Sequence, residues 1–394
     1  MLKGKTVVLG VTGSIAAYKI ANLARMLVKQ HCEVHVLMTQ NATNFINPIT
    51  FETLTKHKCL IDTFDRNFEF SVEHVALAKA ADVVMIAPAS ANVIGKIANG
   101  IADDMLTTTV MACPCKKIVS PAMNHNMFHN PIVQDNIEKL KHYDYEIVEP
   151  AHGMLANGDM GDGRMPDEEL LFEYIVKEIA FEKDMTGKKV LVTAGATVEA
   201  IDPVRFITNH SSGKMGFALA KNAMLRGADV TLVMGKCDSE PPVFVNTVKV
   251  QSAKDMYDAV IERADSMDII VKAAAVADYR PKNVSSEKVK KQDGNMSIEL
   301  ERTDDILKTL GERKNGQFIC GFSMETENML ENSRKKLEKK NCDMIVANNL
   351  KQDGAGFGGN TNIVTLITKD DEVQLEKMTK DEVAEKIFDF ILSR

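Results

Sequence analysis

The sequence has little that would suit a membrane protein, a secreted protein or a nucleic-acid-binding protein. No apolar run approaches the roughly 18 residues of a membrane-spanning helix, and Met1 is soon followed by the strand-like KTVVLGVTGS instead of a secretion signal. The formal net charge of −7 gives no electrostatic reason to expect nucleic acid or an anionic membrane as a partner. These absences favour a cytoplasmic protein that acts on small molecules.

Cysteine is also sparse, with seven residues in 394. An odd number of cysteines, scattered through apolar segments, predicts buried or reactive thiols in a reducing compartment and no disulfide framework. Cys113 and Cys115 form a C-x-C pair, but no second pair of cysteines or histidines lies at zinc spacing. A metal site at these cysteines is therefore not predicted.

Neither glycine-containing turn has the complete fingerprint of a dinucleotide site or a P-loop. GVTGS at 10–14 lacks the third glycine, so it suits the single phosphate of FMN equally well, and a plain turn with a capping serine is the alternative. In TNHSSGKMG at 208–216, Thr208 replaces the first P-loop glycine and Met215 replaces the hydroxyl residue that binds Mg²⁺. Both turns still lead into a helix, whose N-terminus favours anions.

Apolar β-branched runs alternate with stretches of helical period, which is typical of parallel sheets covered by helices on both faces. The predicted strands are Thr6–Val11, Glu33–Met38, Asp82–Ala87, Lys117–Ser120 and Glu146–Val148, then Lys189–Thr193, Asp229–Met234, Asp268–Ala273, Phe318–Gly321, Met344–Ala347 and Ile363–Thr368. Each half begins with a polar turn, a strand and a glycine, which indicates two tandem Rossmann-like α/β domains. A helical pattern over 168–182 and the polar KDMTGKK place the boundary near 185, so we predict domains 1–185 and 186–394.

Polar and small residues follow several predicted strands, where α/β sheets bind ligands. APASAN at 87–92 would let a flat ring approach the backbone, although a capped helix start is the alternative. His74 begins a predicted helix and Asn124 follows a strand end; a surface residue and a plain turn are the alternatives. In the second half, residues 205–214 are typical of an anion site, and Asp278 precedes a lysine cluster that could also be a solvated face.

The ordered set of motifs resembles the bacterial bifunctional phosphopantothenoylcysteine decarboxylases/phosphopantothenate–cysteine ligases of coenzyme A biosynthesis. GVTGSIAAYK, EHVALAKAAD, APASANVIGKIANGIADDML, PAMNHNM and GDMGDGRM are similar to the decarboxylase half. DPVRFITNHSSGKMGFALA, AAAVADYRP, EKVKK and ANN are similar to the ligase half. The resemblance covers nearly the whole chain.

For residues 1–185 the resemblance implies a flavodoxin-like, FMN-dependent decarboxylase. FMN removes a hydride from the carbon bearing sulfur, so that the electrons left by CO₂ have a place to go, and later returns it. His74 is implied as a base or polariser beside the flavin, and Asn124 and Met123 as substrate contacts. The implied FMN-binding residues are Gly13, Ser14, Thr39, Ser90 and Asn92.

For residues 186–394 the resemblance implies a ligase with a mostly parallel sheet. CTP and Mg²⁺ activate the carboxylate of 4'-phosphopantothenate as an acyl-cytidylate, and the amine of cysteine then attacks it. Asn209 and Lys288 are the implied catalytic residues, and Asp278 is the implied nucleotide and metal contact. The other implied contacts are Arg205, Ser211, Ser212, Ala274, Ala275, Lys291, Phe322, Lys336 and Lys340.

The sequence departs from the family pattern in two places. Val198 stands where the ligase turn usually has an arginine, a loss for which Arg205 could compensate. In the loop GMLANGDMGDGRMP at 153–166, implied to be a glycine-hinged lid, Asn157 replaces the cysteine that donates the last proton of the decarboxylation. An engineered substitution, a different donor such as water or Cys113/Cys115, and a loss of full turnover are three open explanations.

Two other classes of function compete with this interpretation. An NAD(P)-dependent oxidoreductase is disfavoured because neither half has the three-glycine fingerprint followed by an acidic residue. A flavin-binding scaffold protein is disfavoured by the ligase motifs. The family resemblance further implies a homo-oligomer with trimeric decarboxylase and dimeric ligase contacts.

Overall fold

The computed structural model describes residues 2–64, 73–154, 158, 160–290, 296–325, 328–349 and 358–394. The chain forms two compact units, Met1–Phe181 and Glu182–Arg394. Among the described helices, none has both the length and the apolar character needed to cross a membrane.

The first unit is built on a five-stranded parallel sheet with the flavodoxin-like order β2-β1-β3-β4-β5. Its strands are β1 (Thr6–Val11), β2 (Glu33–Met38), β3 (Val83–Ala89), β4 (Lys116–Pro121) and β5 (Glu146–Ile147), followed by a separate antiparallel hairpin of β6 (Ala151–Met154) and β7 (Met160–Arg164). The helices are α1 (Ile20–Lys29), α2 (Pro48–Thr55), α3 (Glu73–Ala80), α4 (Ala91–Ala98), α5 (Met105–Ala112), α6 (His125–Phe128), α7 (Pro131–His142) and α8 (Glu168–Ile179).

Helices cover both faces of this sheet, so the central strands are apolar along their whole length. Every residue of β3 is buried. Helix α1 buries the predicted stripe of Ile20, Leu23, Ala24 and Leu27 and exposes its opposite face.

The second unit contains an eight-stranded, mostly parallel sheet with the order β12-β11-β8-β13-β16-β17-β19-β20, in which β19 and β20 are antiparallel. Its strands are β8 (Lys189–Ala194), β9 (Val198–Ala200), β10 (Phe206–Thr208), β11 (Asp229–Met234), β12 (Asn246–Lys249), β13 (Ile269–Lys272), β14 (Tyr279–Pro281), β15 (Leu300–Arg302), β16 (Phe318–Glu325), β17 (Met344–Asn349), β18 (Thr361–Asn362), β19 (Thr365–Ile367), β20 (Glu372–Gln374) and β21 (Met378–Thr379). The helices are α9 (Lys214–Leu225), α10 (Ala253–Ala264), α11 (Ile306–Arg313), α12 (Met329–Lys339) and α13 (Lys380–Leu392).

Helix α9 packs closely on β8 because Gly216 has no side chain. A Cβ at this position would come within 2.5 Å of the Ala194 Cβ atom. The close approach brings the N-terminus of α9 against the carboxyl end of β8, where a Rossmann-like sheet binds ligands.

The predicted α/β class and tandem arrangement are confirmed, and the main strands lie where the sequence predicts them. Strands β1, β2 and β11 match their predicted bounds, whereas β16 continues to Glu325, four residues beyond the predicted Gly321. The helix predicted to reach residue 182 ends at Ile179. Residues 153–166 were expected to form a polar loop, but Met154 ends β6 and Met160–Arg164 form β7.

Candidate active sites

The first unit has a cavity of about 500 Å³ beside the ends of β1, β2, β3 and β4. Parallel strands end at the same edge, so the turns that follow them meet there. The cavity is lined by all five predicted flavin-binding residues, Gly13, Ser14, Thr39, Ser90 and Asn92, and by Gln40, Asn41, Ala91, Val93, Lys96, Asp104, Ala122, Met123 and Met127.

The three serine and threonine residues in the described lining of this cavity are N-cap residues of helical segments. Ser14 caps a 3₁₀ turn over Ile15–Lys19, Thr39 caps one over Gln40–Asn44, and Ser90 caps α4. The buried Thr12 joins two of these turns, since its Oγ1 donates to the Pro88 carbonyl at 2.6 Å and accepts from the Ser90 N–H at 2.9 Å. Helix N-termini converging on one cavity provide neutral hydrogen-bond donors for a phosphate.

The cation of the first cavity is already neutralised by protein groups. The Lys96 ammonium lies 2.7 Å from an Asp103 oxygen and 3.3 Å from an Asp104 oxygen. The hydrogen bond to Asp103 raises the pKa of Lys96. Lys96 therefore stays protonated, and the carboxylates of Asp103 and Asp104 balance its charge. An anion bound here would therefore depend mainly on the helix N-termini.

A second cavity of about 510 Å³ adjoins the first and shares Ser14, Ala122 and Met123 with it. Its other lining residues are Ile15, Ala16, Tyr18, Lys19, Asn124, Met154, Gly163, Arg164 and Met165. Asn124 caps α6 through a 2.9 Å hydrogen bond from the Asn126 N–H. The predicted substrate residues Met123 and Asn124 thus lie next to the predicted flavin residues.

The hairpin β6–β7 is attached to the wall of the second cavity by tight contacts. The Met123 N–H donates to the Gly163 carbonyl at 3.0 Å, and the Asp162 N–H donates to His125 Nδ1 at 3.1 Å. Gly163 has φ +113°, and a Cβ there would lie 2.3 Å from the Met123 oxygen. This glycine therefore permits close packing, and the expectation that the glycines act as hinges stays a prediction.

The apolar residues flanking this hairpin differ in exposure. Met165 is 1% exposed, whereas Met154 is 67% exposed beside the cavity. Of the two, only Met165 is packed into the unit. Leu155 and Asn157 lie outside the described residues, so the effect of Asn157 stays a prediction.

Two other groups predicted for the first unit do not line these cavities. His74 is the second residue of α3 and lines neither of them, so its role stays a prediction. Cys113 and Cys115 lie between α5 and β4, at the amino end of β4, whereas Ala122–Asn124 follow its carboxyl end. The structure thus argues against this pair as the alternative proton donor.

The second unit has a cavity of about 390 Å³ beside the carboxyl ends of β13, β16 and β17 and the start of α9. It brings together most of the residues predicted for the ligase, namely Asn209, Ser211, Ser212, Ala274, Ala275, Asp278, Phe322 and Lys336. Asn209 is held there by a 3.1 Å hydrogen bond from its amide to the Ala275 carbonyl. Ser212 is buried, and the neighbouring Gly213, at φ +82°, is the N-cap residue of α9.

Sequence reasoning missed several polar residues of this cavity. They are Lys272, Asn362 and Lys380. Lys214 was singled out only as part of a general anion site, and Asn348 only as part of the ANN motif. The lining contains four lysines and one aspartate, a formal excess of three positive charges. Such a cavity attracts a polyanion.

Four predicted ligase residues remain: Arg205, Lys288 and Lys340 do not line this cavity, and Lys291 lies outside the described residues. The Arg205 guanidinium binds Asp202, with Nε 3.0 Å from Oδ2, and Nη2 donates to the Val289 carbonyl at 2.8 Å. This pairing holds the pKa of the buried Asp202 carboxyl well below its usual range, and the Val289 N–H also donates to it at 3.1 Å. Arg205 therefore fixes the segment that carries the exposed Lys288.

The remaining two of these residues are both lysines. Lys340 is ion-paired with Asp305. Lys291 lies outside the described residues. The roles predicted for these two lysines, as for Arg205 and Lys288, stay predictions.

Comparison with known proteins identifies both units. Residues 1–180 match the family model described as Flavoprotein, and residues 185–394 match the model described as DNA/pantothenate metabolism flavoprotein C-terminal domain. The coenzyme A biosynthesis bifunctional protein CoaBC of Bacillus subtilis strain 168 is 48% identical over 373 residues, which cover 94% of this chain and 92% of that protein. The chain belongs to this bifunctional family.

Two further relatives and one solved structure are also similar to this chain. The protein of the same name from Vibrio cholerae El Tor Inaba N16961 is 42% identical over 99% of this chain and 98% of its own length. A cysteine/cysteine sulfinic acid decarboxylase from an unknown prokaryotic organism is 42% identical over 88% of this chain and 99% of its own length. A crystal structure of the C-terminal domain of a CoaBC protein is 49% identical, with a TM-score of 0.46, and covers 52% of this chain and 95% of that one.

The family assignment confirms the main functional prediction. The chain is a bifunctional enzyme of coenzyme A biosynthesis, with a flavoprotein decarboxylase half and a ligase half. The Flavoprotein match also confirms a flavin as the class of cofactor. The two competing interpretations, an NAD(P)-dependent oxidoreductase and a scaffold protein, are set aside.

Proposed function

We propose that the second unit joins 4'-phosphopantothenate to cysteine and that the first unit decarboxylates the product to 4'-phosphopantetheine. The observation that carries this proposal is the clustering of predicted residues. All five predicted flavin residues line one cavity in the first unit, and most of the predicted ligase residues line one cavity in the second. The sheet topology brings the turns together, and the residue types that meet there suit a shared ligand.

FMN is the flavin that fits the first cavity. Helix N-termini at Ser14, Thr39 and Ser90 suit its single phosphate, and the small or apolar side chains of Ala91, Ala122 and Met123 suit a flat ring. When bound, FMN supplies reversible hydride acceptance, which makes loss of CO₂ possible without an external oxidant.

The adjoining cavity is suited to hold the cysteine end of the substrate. The amide of Asn124 is exposed in its wall and can donate to a carboxylate, while Met123 contributes to both cavities. The exposed Met154 lies on the rim, so the hairpin can exclude water from a substrate bound beneath it.

The cavity of the second unit supports a reaction that passes through an activated carboxylate. CTP and phosphopantothenate are both anions, and the lysines lining the cavity can bind their phosphates and stabilise charge as the acyl-cytidylate forms. Asp278 has an exposed carboxylate in the same lining, which suits Mg²⁺ bound jointly by one carboxylate and phosphates. The cysteine amine would then attack the acyl carbon and release CMP.

Location and assembly follow from the same proposal. We place the enzyme in the cytoplasm, where its seven cysteines, all free in the structure, remain reduced. Assembly through trimeric decarboxylase contacts and dimeric ligase contacts is part of the proposal and is tested by light scattering of the full chain.

The test is a complete assay with phosphopantothenate, cysteine, CTP and Mg²⁺, in which the ligated acid and its decarboxylated thiol are followed by mass. We expect repeated pyrophosphate release to require all three substrates, because without cysteine each site can form the acyl-cytidylate and release pyrophosphate only once, and we expect the thiol to appear only with flavin-loaded enzyme. Free cysteine alone is the control, because one relative is named as a cysteine decarboxylase. CO₂ release from cysteine, without ligation, would overturn the proposal.

A further inference from the structure

The four lysines that line the cavity of the second unit are not equivalent. Three of them already donate to oxygen atoms of the protein. Lys214 binds the Gly358 carbonyl at 2.8 Å and the Asn360 amide oxygen at 2.9 Å. Lys336 binds the Phe322 carbonyl at 2.8 Å, and Lys380 binds the Gly359 carbonyl at 2.6 Å.

Lys272 differs from these three lysines. It is the last residue of β13, a central strand of the sheet, and it is partly buried in the cavity wall. In the described part of the chain its ammonium has no hydrogen bond or ion pair, and only more distant charges act on it. A partly buried cation without a partner is unfavourable, because desolvation is not offset by a nearby anion.

We propose that Lys272 is the cation that contacts a phosphate group of the ligand in this cavity, an inference that rests on the proposed ligase function. The lysine side chain supplies three donors and one charge at the carboxyl end of β13, in a cavity that Ala273–Ala275 and Lys336 also line. The neighbouring alanines leave room for a phosphate to approach. The phosphate can belong to the nucleotide or to phosphopantothenate.

The titration of Lys272 makes this contact measurable. Burial, and then the charge of Lys336, lower its pKa to about 8, with Lys340 also lowering it and Asp305 and Asp278 raising it. Lys214 and Lys380 are the other charged groups of the lining. A bound phosphate raises the pKa of Lys272 again, so binding must be accompanied by protonation of this lysine near pH 8, and the affinity for the ligand must fall as the pH rises above 8.

The experiment is isothermal titration calorimetry of the full chain at pH 8, in two buffers of different ionisation enthalpy. We expect CTP to bind with uptake of up to about half a proton, the neutral fraction of a group titrating at this pH. Pyrophosphate, CMP and phosphopantothenate are titrated separately, so that the ligand with the largest uptake identifies the phosphate that meets Lys272. A control variant, Lys249→Met, changes an exposed lysine of β12 that does not line the cavity.

Two substitutions of Lys272 distinguish the contribution of its positive charge to binding from the proton uptake that accompanies binding. Lys272→Met should weaken binding roughly tenfold or more, whereas Lys272→Arg should bind but lose most of the proton uptake. Residual uptake in the arginine variant is expected from Lys380, whose pKa burial also lowers. Thermal unfolding of each variant shows whether it folds.

The outcomes distinguish the two proposals. CTP binding by the wild type with the same proton uptake in Lys272→Arg would overturn the role of Lys272 and leave the ligase proposal intact. Phosphopantothenate binding with uptake, but no CTP binding, would support Lys272 and contradict the nucleotide assignment. Absence of binding by every phosphate compound would overturn both.

Discussion

The two candidate active sites lie at the same place in two similar folds but differ in how they can bind an anion. In the first unit, capped helix N-termini at Ser14, Thr39 and Ser90 surround the cavity, and its lysine is neutralised by Asp103 and Asp104. In the second unit, four lysines line the cavity and one of them is unpaired among the described residues.

This difference fits two kinds of ligand. Preformed neutral donors cost little to organise and are only weakly affected by salt, which suits a cofactor that stays bound. Unbalanced charge attracts a polyanion strongly but depends on ionic strength and protonation, which suits substrates that must enter and leave. Two comparable folds thus provide a cofactor site through neutral N–H donors and a substrate site through lysine side chains.

The largest expected effect is that of Asn157→Cys, and it should be confined to the first unit. An amide N–H is far too weakly acidic to supply a proton at neutral pH, whereas a thiol can supply one. In a single turnover with phosphopantothenoylcysteine, flavin absorbance should recover roughly a hundredfold faster in the variant. Equal recovery in the two proteins would show that the last proton comes from elsewhere.

The control for this variant is the initial loss of flavin absorbance. That phase precedes the last proton transfer, so we expect it to change little. The ligase rate of the same preparation should also be unchanged, since Asn157 belongs to the other half of the chain.

Gly163→Ala should disrupt the candidate active site of the first unit through a steric clash. The new Cβ would lie 2.3 Å from the Met123 oxygen, in a backbone conformation with φ +113°. We expect the unfolding free energy of the first unit to fall by about 3 kcal/mol, with weaker flavin binding and loss of decarboxylation. Thermal unfolding and flavin fluorescence measure this change.

Gly158→Ala is the matched control. It has φ +86°, but no atom of the described residues lies within 4 Å of an added Cβ, so only the backbone term of about 1 kcal/mol is expected. If the two variants behaved alike, the packing of β7 on residue 123 would not be what holds the hairpin.

Sequence patterns predicted the sheets and most of the cavity residues because both depend on simple rules. Buried parallel strands are apolar throughout, and the turns after their carboxyl ends meet at one edge. Asn209 and Asp278, far apart in the chain, could therefore be placed in one cavity by resemblance and topology together.

The features that were missed depend on contacts between distant residues. The hairpin β6–β7 contains glycines typical of a loop and is held by Met123 and His125. Arg205 matched an anion site, but Asp202, three residues earlier, occupies its guanidinium. Lys272 resembles any polar residue at a strand end, and only the packed structure shows that it lacks a partner among the described groups.

A smaller effect is expected from salt, and it separates the two sites without any substitution. Raising NaCl from about 50 to about 300 mM should lower kcat/KM for CTP several-fold, since screening weakens attraction to the lysines in the cavity of the second unit. Flavin retention, measured by filtration and absorbance, should change little over the same range. Release of flavin at salt concentrations that leave the ligase unaffected would reverse the comparison.

The smallest effect on catalysis is expected at Cys113 and Cys115. The prediction tests whether the reactive thiol of Cys115 is too far from the candidate active site of the first unit to take part in the reaction. The Cys113 thiol donates to Cys115 and lowers the pKa of the Cys115 thiol, which is partly exposed, whereas Cys113 is buried. Iodoacetamide at pH 7.5 should therefore alkylate Cys115 before Cys113, as peptide mass mapping would show.

Replacement of both cysteines by serine should leave flavin absorbance recovery and thiol formation unchanged. The pair precedes β4, whereas Ala122–Asn124 follow its carboxyl end, and a six-residue strand spans roughly 20 Å. A proton cannot pass directly over that distance. A slower recovery in the double variant, with unchanged flavin binding and thermal unfolding, would mean that these thiols reach the reaction through a path that the described contacts do not contain.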